Sequence, residues 1–403
     1  MNDFTLTLAM TSVNVSEPQI CKHELTQNSD NRVTKFIHAS DLHLGSHQYR
    51  NDHRANDFIC ALEEILSKAI SFEVDFILLG GDIFTSLEML PGKLTRIVNI
   101  IRDFHNKTGE KIPIIAIEGN HDIRKFSRGV RFNHRGQSWL KFLSNLGLIV
   151  LLDADIEASP AEMFKLYDFQ TQKGGKIQIK NVVIYGTRYL KEKPEEYLLS
   201  LKEGIVKDDG NFHILLQHFG IEGQMENVPG ANYNRIKYLR ERVNYLALGH
   251  YHLQFILDDW AYNPGSSEAV CASDFSFKRG AFLVTVTKEK NYTKEVKKLK
   301  LVNRAYRWET LRFRTEFRSK KQIYEFIIHE LKKIFKLPSN YINDPSNVNT
   351  PVLFLVLKGK KPFSKLKINT KELTQMICEN LPVVDVRIYQ KFSNHLTKID
   401  TFI

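Results

Sequence analysis

The sequence predicts an α/β fold followed by a smaller α+β unit, and three observations carry that expectation. Short β-type runs alternate with amphipathic helical patterns from Lys35 onward. Several of those runs end in the same few polar residue types. Charge balance and texture then change near residue 304.

In chain order, residues 1–33 hold Ser, Thr, Asn and Gln clusters without a period, so a mobile tail is expected there. Strands are expected at Lys35–Ala39, Asp75–Leu79, Ile112–Ile117, Val182–Tyr185, His213–Leu216 and Tyr245–Leu248. Between the first three, Asp57–Phe72 aligns Phe58, Leu62, Ile65, Leu66 and Ala69 on one helical face. Leu94–Phe104 aligns Leu94, Ile97, Ile101 and Phe104, and Gln137–Leu146 is a third helix stopped by Gly147. Strands that alternate with helices and read as continuous apolar runs are buried on both faces. This body is expected to span 34–303. The smaller unit, 304–403, is expected to hold a strand at Arg304–Arg314 and a basic helix begun by a Ser319–Gln322 capping box. A loop over Leu337–Thr350, a strand at Pro351–Leu357, a helix at Glu372–Asn380 and a strand at Val383–Phe392 complete it.

At 403 residues and 42% hydrophobic composition, the chain can bury a sizeable core, which excludes wholesale disorder. No run approaches the roughly 18 apolar residues of a spanning helix. The four cysteines are scattered without a C-x-x-C, so neither a disulfide framework nor a zinc knuckle is indicated. A soluble, intracellular protein is expected. The net charge of +11 is unevenly placed: residues 288–403 hold 25 Lys/Arg against 11 Asp/Glu, and residues 1–287 hold 32 against 35. A charge run is ordinarily a solvated face. A basic unit beside a near-neutral one also suits a protein that grips a polyanion away from its reactive site.

Five apolar runs deliver ligand-type residues at their ends: Asp41 and His43, Asp82, Asn120 and His121, His218, and finally His250 and His252. The carboxyl ends of strands in an α/β sheet form the crevice where ligands bind. Burying these groups unpaired would cost several kcal/mol each, whereas metal ions satisfy them together. Mixed imidazole and carboxylate ligation suits Mn, Fe or Zn better than Mg. The ligand number exceeds the roughly four of a single zinc site, so two divalent ions sharing a carboxylate are expected.

D-x-H, G-D, G-N-H-D, H and G-H-x-H in this order resemble the calcineurin-like metallophosphoesterases. More narrowly, Ile37–Gly45, Val74–Phe84, Ile117–Asp122, Ala247–His252 and Tyr262–Glu268 look like the double-strand-break-repair nucleases of the MRE-eleven and SbcD type. The resemblance covers residues 35–287. It implies a four-layer αββα sandwich with a DNA-capping unit behind it. Asp41, His43 and His252 would hold one ion and Asn120, His218 and His250 the other, with Asp82 bridging and Mn²⁺ as the metal. His121 would be the histidine that stabilises the transition state and protonates the leaving oxygen. Implied partners are DNA (duplex ends, hairpins or single strands), a coiled-coil ABC-type ATPase of the Rad-fifty or SbcC kind, and a second copy through helices near residues 94–146. The implied location is cytoplasmic and nucleoid-associated.

Two departures from that pattern stand out. Thr85 lies where some members have a histidine implicated in exonuclease action, and Ala269 follows Glu268 where many have arginine. The docking segment for the ATPase would be short or absent. Lys320, Lys321, Lys332 and Lys333 are candidate DNA contacts on the basic helix. His47 and His53, among Tyr49, Arg50 and Arg54, are candidates to line a DNA path. His38, inside a strand, is expected to be structural. A small-molecule phosphoesterase for a nucleotide or diphosphate would use the same metals without needing a basic unit. A non-catalytic scaffold would be expected to have lost ligands.

Overall fold

A computed structural model describes residues 32–123, 138–191, 194–313, 317–336, 344–363 and 366–393. Its strands are β1 (Val33–Ala39), β2 (Phe76–Leu79), β3 (Ile114–Ala116), β4 (Val150–Leu151), β5 (Lys176–Ile179), β6 (Val182–Gly186), β7 (Phe212–His218) and β8 (Tyr245–Gly249). Then follow β9 (Phe255–Leu257), β10 (Ala261–Asn263), β11 (Ala281–Lys288), β12 (Tyr292–Leu299), β13 (Tyr306–Phe313), β14 (Val352–Lys360) and β15 (Asp385–Ser393). The helices are α1 (Asp52–Ser71), α2 (Pro91–Thr108), α3 (Trp139–Asn145), α4 (Pro160–Met163), α5 (Leu198–Gly204), α6 (Tyr233–Ile236), α7 (Lys320–Phe335) and α8 (Thr370–Asn380).

Helix ends follow local chemistry. Asn51 opens α1 by accepting the His53 and Arg54 amides, and α2 begins on Pro91 and stops at Gly109 with φ 58°. Ser319 opens α7 by accepting the Gln322 amide, but the Gln322 side chain reaches past it to the Arg318 amide, so the expected capping box is only half formed.

Two six-stranded sheets lie face to face, in the orders β12-β11-β1-β2-β3-β4 and β5-β6-β7-β8-β10-β9. β1 to β4 are parallel, and so are β6, β7, β8 and β10. Strand alternation builds the layers. Phe36, Phe76, Leu78 and Ile115 meet Ile184, Ile214, Tyr245 and Tyr262 between the sheets. Ile37, Ile77 and Leu79 point the other way, onto Leu62 and Ile65 of α1 and Ile97 and Ile101 of α2. Leu215, Leu246 and Leu248 pack against Leu198 and Leu201 of α5 and against Ile236. The result is the expected αββα sandwich.

The outermost layers of strand were not predicted. The hairpin β11–β12 closes the first sheet by pairing antiparallel to β1, and Val33, assigned to the tail by sequence, already pairs with Thr287. The rest of that tail lies outside the described residues. Among the described residues no helix is long and apolar enough to cross a membrane.

His38 is buried, accepting from Tyr245 Oη at 3.0 Å through Nδ1 and donating to the Leu248 carbonyl at 3.0 Å through Nε2. Burial outweighs that carbonyl contact and pushes its pKa down to about 3, so the native state holds it neutral. Below about pH 6.5 the unfolded chain takes up a proton that the folded chain refuses, and stability falls as the pH falls. Urea midpoints at pH 7 and pH 5, with chelator present, should separate more for the wild type than for His38→Gln. The group contributes about 1.4 kcal/mol per pH unit between the two pKa values.

A third sheet, β13-β14-β15, is parallel throughout, with α7 and α8 on one face. A buried ionic cluster joins it to α1. Arg304 donates to both Asp57 oxygens (2.9 and 2.7 Å) and to the carbonyls of Pro345, Asn347 and Thr350. Arg54, a sequence neighbour of the DNA-path candidates His47 and His53, is fully buried, bonded to Gln48, Asp57, Ala269 O and Tyr306 Oη, with Glu268 at 3.4 Å. Removing one charge from such a cluster strands the other, typically at 3–5 kcal/mol. Arg304→Met should lower unfolding free energy by about that amount. Arg304→Lys should recover only part, because an ammonium cannot reproduce the two-pronged bond.

Candidate metal centre

The carboxyl ends of β1, β2, β3, β7 and β8 converge at one edge of the facing sheets. The loops after β1 and β2 are laced together by Asp41 N to Gly81 O, His43 N to Asp82 O and Leu44 N to Ile83 O. Asp41 (φ 52°), His43 (47°), Asp82 (50°) and His250 (93°) all adopt positive φ, a conformation that costs non-glycine residues of order 1–3 kcal/mol each. Strain of this kind persists only where surrounding structure over-determines it.

Glycine is required beside these residues for a different reason. A Cβ on Gly119 would sit 2.2 Å from Asp82 Oδ1, and one on Gly81 (φ 90°) would sit 2.6 Å from His218 Nδ1.

All of the expected ligands are brought together. Asp41, His43 and His252 form one group of ligand atoms within 4.8 Å, and Asp82, His218 and His250 another. His43, Asp82 and His121 form a third, so Asp82 belongs to two groups. Asn120 Oδ1 lies 3.1 Å from His218 Nε2 and 3.0 Å from His250 Nδ1, which sets it in the second group.

Hydrogen bonding fixes which imidazole nitrogens are available. His218 Nδ1 donates to Gly80 O at 2.7 Å, leaving Nε2 as the nitrogen that faces Asp82 at 3.3 Å. His252 Nδ1 faces Asp274 Oδ2 at 2.7 Å, leaving Nε2 3.2 Å from His43 Nε2. His43 Nδ1 is buried without a hydrogen-bond partner among the described residues. Two ring nitrogens at that separation need a cation or a proton between them.

Burial pushes the His43 and His250 pKa values down to about 3, leaving neutral donors, and raises Asp41 to about 6. Burial would lower His218 and His252 too, but Asp82 lifts the first to about 9 and Asp274 the second to about 10, so without a cation these two rings carry protons that a bound metal would displace. Asp82 is held below its ordinary range because His218 outweighs its burial. With those protons displaced, the donor set of imidazoles, carboxylates and an amide suits divalent cations of the borderline kind.

His121 Nδ1 donates to Thr85 O at 3.0 Å, so Nε2 is the ring nitrogen left to face a substrate. Its amide donates to Asp82 Oδ1 at 2.7 Å. Thr85 thus anchors His121 through its carbonyl, and its hydroxyl bonds His43 O.

Supporting residues escaped sequence reasoning. Asp122, quoted only as part of a motif, accepts the amides of Ile83, Phe84 and Gly119 and so fixes two of the ligand loops. Ser40 Oγ donates to Asp41, and Asp274 orients His252; neither carries a local sequence signal.

Other candidates lie elsewhere. Lys320, Lys321, Lys332 and Lys333 stand on α7, on the helical side of the third sheet. Lys320 pairs with Glu372, Lys333 with Glu330 and Lys321 with Glu325. His47 faces Asp52 at 3.4 Å, and His53 is exposed.

The family model for calcineurin-like phosphoesterases matches residues 34–254. The chain is 28% identical over 227 residues to the DNA double-strand break repair protein Mre11 of Archaeoglobus fulgidus, covering 56% of this chain and 47% of that protein. Proteins of the same name from Sulfurisphaera tokodaii (25% over 389 residues, 92% of this chain, 89% of that protein) and Saccharolobus solfataricus (24% over 372 residues, 89% and 82%) match most of its length. The chain thus spans about half of the first relative's length and over four fifths of the other two. A dimetal phosphatase from Danio rerio aligns over 66% of this chain and 96% of its own, at 12% identity and TM-score 0.39.

Proposed function

The chain belongs to the calcineurin-like phosphoesterase family, and from that premise we propose that it is a two-metal DNA nuclease of double-strand-break repair. The nuclease unit is 34–303, and 304–403 is a basic capping unit. Asp41, His43 and His252 would hold one Mn²⁺ and Asn120, His218 and His250 the other, with Asp82 between the two groups.

The observation that carries the reading is the convergence of these atoms at the strand ends, with His43 and His252 nitrogens 3.2 Å apart. Divalent cations bound there would offset the phosphodiester anion and acidify an attacking water. The chain's own residues do the rest. Asp274 and Gly80 O lock the His252 and His218 rings in place, and Asp82 and Thr85 O hold His121 with Nε2 ready to protonate the leaving oxygen. DNA as substrate is supported by the names of the relatives and by the surplus of +14 in residues 288–403. The same likeness supports a coiled-coil ATPase partner, a homodimer and a nucleoid-associated location.

End-labelled duplex and hairpin DNA, compared with a generic small phosphodiester, is the test. Chelator should abolish cleavage of both and Mn²⁺ should restore it best. Cleavage of the small ester without any cleavage of DNA would replace this reading with a small-molecule phosphoesterase.

A further inference from the structure

The third sheet shows two unlike faces. Leu311, Leu353 and Val386 point toward α7 and α8. The opposite face carries rings. Trp308 stacks on Phe354 with centroids 4.8 Å apart and planes 15° off parallel, and lies 6.0 Å and 11° from Tyr389. Phe275, from the turn before β11, joins at 6.0 Å and 29°. Half of Trp308 is exposed, with 41% of Phe275 and 39% of Tyr389. Tyr49, Ala272 and Tyr306 pack on the inner part of this face around Phe354, and the outer rings keep 39–50% of their surface open.

Charge continues the track. In register, Arg312, Lys358 and Lys391 form one row across β13, β14 and β15, on the same face as the rings and two residues beyond Thr310, Val356 and Tyr389. Among the described residues these three cations make no ion pair, unlike Lys320, Lys321 and Lys333 of α7. The other end of the track reaches the metal centre: Phe275 directly follows Asp274, whose carboxylate lies 2.7 Å from His252 Nδ1.

We propose that this open face is a base-stacking platform for single-stranded nucleic acid, leading an unpaired strand between the metal centre and the basic row. Parallel rings accept bases of any identity, and cations beyond them take the phosphates. The assignment rests on DNA being the substrate, and it adds where an unpaired strand lies. A protein partner would use an apolar patch without needing a row of unpaired cations aligned with it.

The test uses the full chain, with chelator present so that no strand is cut. Anisotropy would compare a labelled twelve-residue oligo(dT) with an abasic strand of the same length. Wild type should prefer the strand with bases. Trp308→Ala should weaken oligo(dT) binding by about tenfold, within the range for one stacked base, and leave the abasic strand unchanged. Trp308→Phe should retain most of the affinity, and Tyr389→Leu provides an independent loss should Trp308→Ala misfold. Equal weakening of both strands, no weakening, or a wild type indifferent to bases would overturn the platform, the last assigning the rings to a protein partner. A chain that cuts no DNA but still shows the base-dependent loss keeps the platform and loses the nuclease reading.

Discussion

Asp82→Asn should lower DNA cleavage by about 10⁴-fold and reduce bound metal from two ions to one or fewer per chain. The substitution keeps the shape of a side chain that is 2% exposed and still able to accept the His121 amide. It removes the negative charge that lies 3.3 Å from His218 Nε2 and 4.0 Å from His43 Nε2, where both ligand groups meet. Sharing one carboxylate is what lets two cations sit close together, and several kcal/mol of charge stabilisation are lost with it. At 1.36 kcal/mol per tenfold, a loss of that size gives the stated factor. Single-turnover cleavage and elemental metal analysis of the same sample check it. Two metals retained with full activity would remove Asp82 from the bridging position.

His121→Gln should slow the chemical step by about 10²–10⁴ while leaving metal content near two. Gln keeps a donor for Thr85 O, so the loop stays tied, but it offers no titratable nitrogen where Nε2 stood. The third ligand group contains His121 together with His43 and Asp82, which makes the metal measurement decisive. Metal loss in parallel with activity would make His121 a ligand and would return Asn120 to a supporting role. Recovery of rate with a substrate whose leaving group needs no proton would identify the acid role directly.

The parts of this molecule that were legible in the sequence share a cause. Asp41, Asp82, Asn120, His218 and His250 follow apolar runs immediately, so strand ends and ligands announce each other. His38 likewise could be assigned from its place inside a run. What was missed depends on partners distant in sequence. Asp274 matters because it meets His252 across a turn, and Arg54 looks like a surface residue of α1 until Asp57 and Glu268 neutralise it in the interior. β12 was missed because its side chains alternate between exposed Lys, Glu or Thr and half-covered residues, the pattern of an edge strand guarded by charge. The lysines of α7 were read as DNA candidates from its exposed basic face; Lys320, Lys321 and Lys333 also pair with neighbouring carboxylates there, which sequence spacing alone does not reveal for Lys320 and Glu372.

The pairing of β1 with β11 sets when and where this protein can mature on the ribosome. Val33 waits for Thr287 and His38 for Phe282, so β1 is completed by a strand made about 250 residues later. Until then its free edge can pair with a neighbouring nascent chain, the hazard attached to long-range strand pairing. A fragment cut at residue 254, where the family match ends, would keep every proposed metal ligand yet leave β1 bare on that side. Any shortened version meant for expression must therefore keep β11 and β12, and one that ends before Arg304 also takes from Asp57 its Arg304 partner.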